Sequence, residues 1–253
     1  MAFCRNAVDR ELIVEFRDVR YAIGGRTILE GLNLKIDKGE TLILLGRSGS
    51  GKTTALKLVN GLIMPSSGQV LVNGKATTDW DLIQLRRSIG YVIQEVGLFP
   101  HYTVRRNVEL APRLQLWEEA RTHAKASEML LQVGLDPAQY GERFPRQLSG
   151  GQRQRVGVAR ALAAGPELLL FDEPFGAVDP VTRLDLQKQF LALRTSFSTT
   201  SIFVTHDVRE ALSLASRIGL LNHGRLEQLA PPAEFRRSMN PEARAFLACL
   251  EDL

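Results

Sequence analysis

Apolar and polar positions alternate from Leu12 to Tyr21 and again over Leu32-Asn33-Leu34-Lys35-Ile36, with the turn pair Gly24-Gly25 between them and Asp37-Lys38-Gly39 after. A period of two marks half-buried strands, so the chain is expected to open with an antiparallel β segment. Thr41-Leu42-Ile43-Leu44-Leu45 is a continuous apolar run, the pattern of a strand buried on both faces. Lys52 to Leu62 then takes helical spacing and ends at Gly61. Gln69-Val70-Leu71-Val72 before Asn73-Gly74 adds a hairpin, because Asn-Gly accepts the positive φ angles of a tight turn. From about Thr103 to Ala164 the pattern is amphipathic helix, over Arg105 to Ala111, Glu118 to Gln132 and Gln152 to Ala164. Strands return at Leu168 to Phe171, Ser201 to Val204 and Ile218 to Leu221, separated by helical stretches Val181 to Arg194 and Val208 to Ala215. Pro231-Pro232 and Pro241 punctuate two short terminal helices.

Strands alternating with helices predict an α/β fold with a mostly parallel sheet. The early antiparallel strands form a β subdomain, and the helical run is an inserted lobe. We expect one domain over residues 1–253, with the core and β subdomain at about 1–94 and 165–253 and the helical subdomain at about 95–164. A hydrophobic content of 44% suffices for a core of ordinary density. The net charge of +4 is too small to argue for nucleic acid, which is not expected as a partner. Cys4 and Cys249 stand near opposite ends without metal-ligand spacing, so neither a disulfide framework nor a metal role is expected of them. No apolar run approaches the roughly 20 residues of a membrane helix, and the amino terminus lacks a signal-peptide pattern. The expected location is therefore cytoplasmic.

Candidate chemistry begins between the buried run and the helix that follows it. Gly46-Arg47-Ser48-Gly49-Ser50-Gly51-Lys52-Thr53 fits G-x-x-x-x-G-K-[ST], and a strand and a helix flank it as that motif requires. Gly46, Gly49 and Gly51 let successive backbone N–H groups turn around phosphate oxygens, and the helix adds its partly positive amino end. Lys52 is expected to reach the β and γ phosphates, Thr53 to offer its hydroxyl to Mg²⁺, and Thr54 to meet the α phosphate. Arg47 is expected to point outward with little effect on binding. A second metal contact comes from Asp172 at the end of Leu168 to Phe171, through water, and Glu173 is placed to take a proton from an attacking water. An isolated acidic pair at a strand end would more often cap the next helix; with the glycine loop present the catalytic role is favoured.

Leu148-Ser149-Gly150-Gly151-Gln152, followed by Arg153-Gln154-Arg155, resembles residue for residue the signature of ATP-binding cassette (ABC) proteins. The fold implied is the RecA-like P-loop NTPase core with its two subdomains. Ser149, Gly150 and Gly151 at a helix amino terminus make a second anion site, although an N-cap by Ser149 alone is the plainer account of that serine. In the family this loop, with Gln152, completes the γ-phosphate site of a second copy, so a homodimer sandwiching ATP and Mg²⁺ is implied. The resemblance runs from about Leu12 to Leu226. It implies that Gln94 senses Mg²⁺, that Asp179 crosses the dimer interface beside Val178, a position more often leucine, and that His206 contacts the γ phosphate and orients Glu173. Tyr21 is placed like the aromatic that stacks on adenine, with a half-buried strand tyrosine as its rival. His101, His123 and His223 are expected at the surface or in turns, and Arg86-Arg87 and Arg105-Arg106 on solvated faces.

The chain carries one motif set, unlike soluble translation-type cassettes, and its helical lobe is too short for the coiled-coil insertion of genome-maintenance relatives. The resemblance therefore implies an importer ATPase, peripheral on the cytoplasmic face of the membrane, with a transmembrane permease and, indirectly, a substrate-binding protein. The permease is expected to dock a short helix near Gln94 to Tyr102. Ile89 to His101 is similar to the ATPases of quaternary-amine osmoprotectant uptake, such as glycine betaine or choline. Polar amino acid importers share much of Leu98 to Val104 and are the nearest rival class.

Overall fold

The computed structural model describes residues 11–250 except 95, 177, 178 and 198, together with all side chains of those residues but 180 and 193–197. Cys4 and Val178 lie outside the described residues. Strand β1 (Leu12–Ile23) pairs antiparallel with β2 (Arg26–Asp37), and Gly24 and Gly25 turn the chain at φ 57 and 77. Strand β3 (Thr41–Leu45) passes through the glycine loop into α1 (Lys52–Val59). Strands β4 (Ser67–Val72) and β5 (Lys75–Ala76) make the hairpin at Asn73 and Gly74, whose φ angles of 50 and 74 are those the sequence calls for. Helix α2 (Leu82–Ser88) leads into β6 (Ile89–Val92).

The helices α3 (Val104–Leu114), α4 (Glu119–Gln132), α5 (Pro137–Tyr140) and α6 (Gly150–Leu162) fill the stretch before β7 (Leu168–Asp172). The chain then runs through α7 (Pro180–Phe197), β8 (Thr200–Thr205), α8 (Val208–Leu214), β9 (Arg217–Asn222) and β10 (Arg225–Ala230). It finishes with α9 (Pro232–Phe235) and α10 (Pro241–Ala248). Four strands order as β2-β1-β4-β5 and six as β10-β9-β3-β8-β7-β6, the larger sheet being parallel except at β9–β10.

The unbroken apolar runs have a simple cause. Side chains of one strand point to opposite faces, and each face of the larger sheet is covered. Leu42 and Leu44 enter a core shared with the antiparallel sheet, while Ile43 and Leu45 enter a second core with the helices. Strand β7 divides in the same way, Leu168 and Leu170 to the first core, Leu169 and Phe171 to the second, where Phe171 stacks on Phe203 at 4.1 Å. The carboxyl ends of β3, β6, β7 and β8 share one edge of the sheet, which places the segments following Leu45, Val92, Asp172 and Thr205 together.

Helix α2 and strand β10 are among the elements without a sequence expectation. Helix α2 buries only Leu85 and so shows no apolar stripe; Asp81 starts it by accepting the N–H groups of Ile83 and Gln84. Strand β10 carries a register shift between Leu226 and Gln228, and the shift breaks its alternation. The arginines expected on solvated faces are corrected in part. Arg86 donates to the carbonyls of Asn60 and Gly61 at 3.4 and 2.8 Å, closing the end of α1. Arg105 is held by Glu142 at 3.0 Å and Ser127 at 3.0 Å, fastening α3 to the rest of the helical lobe.

Helix α6 grips the segment that follows Gln94. Arg160 donates to the carbonyls of Val96 and Gly97 at 2.7 and 2.8 Å, and burial pushes its pKa down. Gly157 permits the approach, since a Cβ there would lie 2.4 Å from Val96 Cγ1. Arg160→Met should cost about 1.5–3 kcal/mol of stability, the usual range for hydrogen bonds from a charged group. Urea denaturation of the two proteins measures this directly, and equal midpoints would show that the grip contributes nothing.

Candidate functional site

Gly46 begins the loop because no side chain fits there: a Cβ would stand 2.2 Å from the Leu221 carbonyl oxygen and 2.7 Å from Ser50 Oγ. Gly51, the N-cap of α1, sits at φ 102 with Leu29 Cδ2 only 2.6 Å from where its Cβ would be. Gly49 is also left-handed, at φ 80, but faces open space, so the turn alone requires it. Ser48 is exposed, whereas Ser50 is buried and its hydroxyl has no hydrogen-bond partner. Lys52 is buried, and its ammonium group donates to the carbonyls of Gly46 and Arg47 at 2.7 and 2.9 Å. Burial lowers its pKa, while the charges of Glu173 and Asp172 oppose that shift.

The strand ends bring the other residues to this loop. Thr53 Oγ1 donates to Asp172 Oδ1 at 2.8 Å, which joins the two residues expected around Mg²⁺. Thr54 follows it on the first turn of α1 and is half-buried. Gln94 Nε2 donates to Glu173 Oε2 at 3.4 Å, and His206 Nδ1 lies 3.3 Å from that same oxygen. Glu173 holds this place at φ 45, an uncommon conformation for a residue with a Cβ, braced by its N–H on the Val204 carbonyl at 3.0 Å.

The donor set bears on the metal. Among the described residues no group of three or more His, Cys, Asp or Glu side chains could hold an ion by itself. Mg²⁺ characteristically takes one or two carboxylates together with phosphate oxygens. One threonine hydroxyl beside one carboxylate suits an ion that arrives with its nucleotide.

Sequence reasoning missed Tyr91. Its hydroxyl donates to Asp172 Oδ2 at 3.3 Å, so both oxygens of that carboxylate have donors, and burial raises the phenol pKa. A polar-tipped aromatic in a short strand parallel to β7 was the available signal. Glu210 was missed as well: it is buried, accepts from Thr205 Oγ1 at 2.6 Å, and Thr205 Oγ1 in turn accepts the Asp207 N–H at 3.0 Å, framing His206. Burial raises the Glu210 pKa.

At the start of α6, Ser149 Oγ accepts the Gln152 N–H at 3.2 Å and Gln152 Oε1 accepts the Ser149 N–H at 2.9 Å, a reciprocal cap. Gln152 thus orients Ser149 within its own helix. Ser149 and Gly150 are exposed; Gly151 is buried, and a Cβ on it would lie 2.4 Å from Thr182 Cγ2. Packing against α7 therefore accounts for that glycine without a ligand. Asp179 Oδ1 accepts the Thr182 N–H at 3.0 Å, and that bond lowers its pKa. Arg183 joins the same helix to Asp207 at 3.3 Å. Tyr21 is half-buried against the antiparallel sheet, facing Leu29, the residue packed over Gly51.

His223 occupies the β9–β10 turn at φ 45, and His101 is exposed. His123 is half exposed, with Nδ1 3.2 Å from Glu109 and Nε2 3.1 Å from Arg105 Nη1. Arg47 points outward, its side chain 68% exposed, and forms a two-pronged pair with Glu242 of α10, at 2.6 and 3.4 Å.

A phosphate loop leading into a helix, with an acid pair and a histidine at neighbouring strand ends, defines a nucleotide-binding protein of the P-loop class. The chain belongs to the ABC transporter family, whose sequence profile matches residues 29–176. It is similar to an osmoprotectant import ATP-binding protein of Salmonella typhimurium, at 49% identity over 81% of this chain and 54% of that one. It is also similar to a choline transport ATP-binding protein of Bacillus subtilis, at 48% identity over 85% of this chain and 56% of that one. The chain thus spans about half the length of these curated relatives. Among solved structures it resembles an ATP-binding cassette in a dimeric post-hydrolysis state with ADP and Pi, at 33% identity and a TM-score of 0.78, covering 87% of this chain and 99% of that one.

Proposed function

We propose that the chain is the ATP-binding and ATP-hydrolysing subunit of a membrane importer for osmoprotectants such as glycine betaine, choline or related quaternary amines. The observation that carries hydrolysis is the convergence of Gln94 and His206 on one oxygen of Glu173, beside the Thr53–Asp172 pair. The loop from Gly46 to Thr54 takes the phosphates, with Lys52 exchanging its two carbonyl partners for phosphate oxygens. Thr53, Asp172 and Gln94 hold Mg²⁺, which when bound neutralises charge on the phosphate oxygens. Glu173 accepts the proton of the attacking water, His206 steadies both Glu173 and the γ phosphate, and Tyr21 stacks on the base. A second copy supplies Ser149, Gly150 and Gly151, and Asp179 reaches across the same interface.

Closing and reopening the dimer drives a permease between its inward-facing and outward-facing states, which puts the chain on the cytoplasmic face of the membrane. Moving such an equilibrium from 1:99 to 99:1 takes about 5.5 kcal/mol of differential binding, within reach of two multiply charged nucleotides at an interface. An open, mostly apolar groove of about 390 Å³, lined by Ile83, Tyr91, Leu110, Ala111, Leu114 and Arg160, suits a short permease helix. It lies beside the expected docking segment Gln94 to Tyr102 and connects to it through Arg160.

The cargo assignment rests on Ile89 to His101 and on the names of the two relatives. Cells lacking this chain should lose uptake of radiolabelled glycine betaine or choline at high osmolarity. Wild-type chain should restore it and Lys52→Ala should not. Intact quaternary-amine uptake together with lost uptake of a polar amino acid would transfer the assignment to the rival class.

A further inference from the structure

The phosphate loop is tied to the end of the chain. Arg47, its second residue, sends Nε and Nη2 to the two oxygens of Glu242, 195 positions away, and the Glu242 side chain is only 16% exposed. Glu242 stands on a firm base. Asn240 caps α10 by accepting the N–H groups of Glu242 and Ala243, and it donates to Glu227 at 3.1 Å, which ties the cap to β10. Ala243 is fully buried, and Phe246 and Leu247 pack against the core that includes α8. At the far end, Arg209 of α8 donates to the Cys249 carbonyl at 3.4 Å. Helix α10 therefore spans from the phosphate loop to the helix that directly follows His206.

The loop is held from its other side as well. The Ser50 carbonyl accepts the N–H of Gly224, in the turn between β9 and β10, at 3.2 Å. On the Arg47 side the carbonyl of Arg47 accepts both the Ser50 N–H and the Lys52 ammonium group, so the position of residue 47 governs the shape of the nest that phosphate must enter. We propose that Glu242 is a positioning residue for nucleotide binding: through Arg47 it holds the phosphate loop in its phosphate-accepting shape before the nucleotide arrives. The inference rests on the proposed nucleotide site and adds to it a residue from outside every motif.

The sign of the effect separates this role from simple charge. Removing an acidic group near the loop would, by Coulomb attraction alone, tighten the binding of an anionic ligand. Losing preorganisation weakens it. Because the Arg47 side chain is largely exposed, the change should be modest, about three- to fivefold. The measurement is equilibrium binding of ADP to the purified full chain by titration calorimetry, with MgATP turnover alongside.

Glu242→Gln should raise the ADP dissociation constant and the KM for MgATP by about that factor while kcat stays within about twofold. Glu242→Asp should recover part of the loss. Arg47→Met should weaken ADP binding equally, and the double variant Arg47→Met/Glu242→Gln should be no weaker than either single one, as coupled neighbours require. Unchanged or tighter ADP binding by Glu242→Gln overturns the proposal, whatever happens to thermal stability. Multiplying effects in the double variant overturn it too. A wild-type chain that binds no ADP would instead sink the nucleotide site, a result distinct from both.

Discussion

Replacing Glu173 with Gln should lower MgATP turnover by about 10²–10⁴-fold, the usual contribution of a positioned general base, and leave ATP binding in place. The geometry explains why the loss should be confined to chemistry. Glu173 makes no hydrogen bond to Lys52 or Thr53, whose side chains are engaged by loop carbonyls and by Asp172. A glutamine oxygen can still accept from Gln94 Nε2, so the amide keeps the arrangement of the site while losing its basicity. With hydrolysis stalled, a nucleotide joining two copies as proposed would persist, and the variant should run as a dimer in size-exclusion chromatography with MgATP where the wild type returns to its starting state. Turnover near the wild-type rate would remove Glu173 from the role of base. A dead enzyme that no longer binds ATP would point to a collapsed site, because the positive φ at residue 173 had then depended on the carboxylate.

The split between what the sequence disclosed and what it withheld follows a physical line. Strands β3, β7 and β8 were legible because both their faces are buried, which leaves a continuous apolar run that few other structures produce. Helix α2 and strand β10 were not, since one buries a single leucine and the other is interrupted by a register shift. In the site, residues were legible where chemistry demands fixed spacing along the chain, as in Gly46 to Thr53 and Ser149 to Gln152. Partners brought in by tertiary folding left no such trace. Tyr91 meets Asp172 across 81 positions and Arg47 meets Glu242 across 195, and neither pairing has a local signature. Gly151 is the instructive middle case. Its place in the signature was read from the motif, and its close approach to Thr182 shows that part of the glycine pattern serves packing within the chain.

Two inactive variants should restore activity to one another if the site is shared between copies. Lys52→Ala removes the ammonium group from the phosphate loop, and Ser149→Arg places a bulky cation at the exposed start of α6. Each alone should reduce turnover by about 10²–10³-fold, the scale set by losing one electrostatic stabiliser of the transferring group. In the proposed two-fold dimer each loop would face the signature of the other copy. A heterodimer of the two variants then contains one site with both lesions and one with neither. Co-expressed with different tags and purified through both, it should recover up to about half of the wild-type rate. Each chain alone presents its Ser149 hydroxyl to solvent with the oxygen already accepting from Gln152, which leaves the hydroxyl proton available to a phosphate from outside. A heterodimer as inactive as its parents would place the whole reaction within one chain and leave the phosphate loop as a binding site that needs no partner.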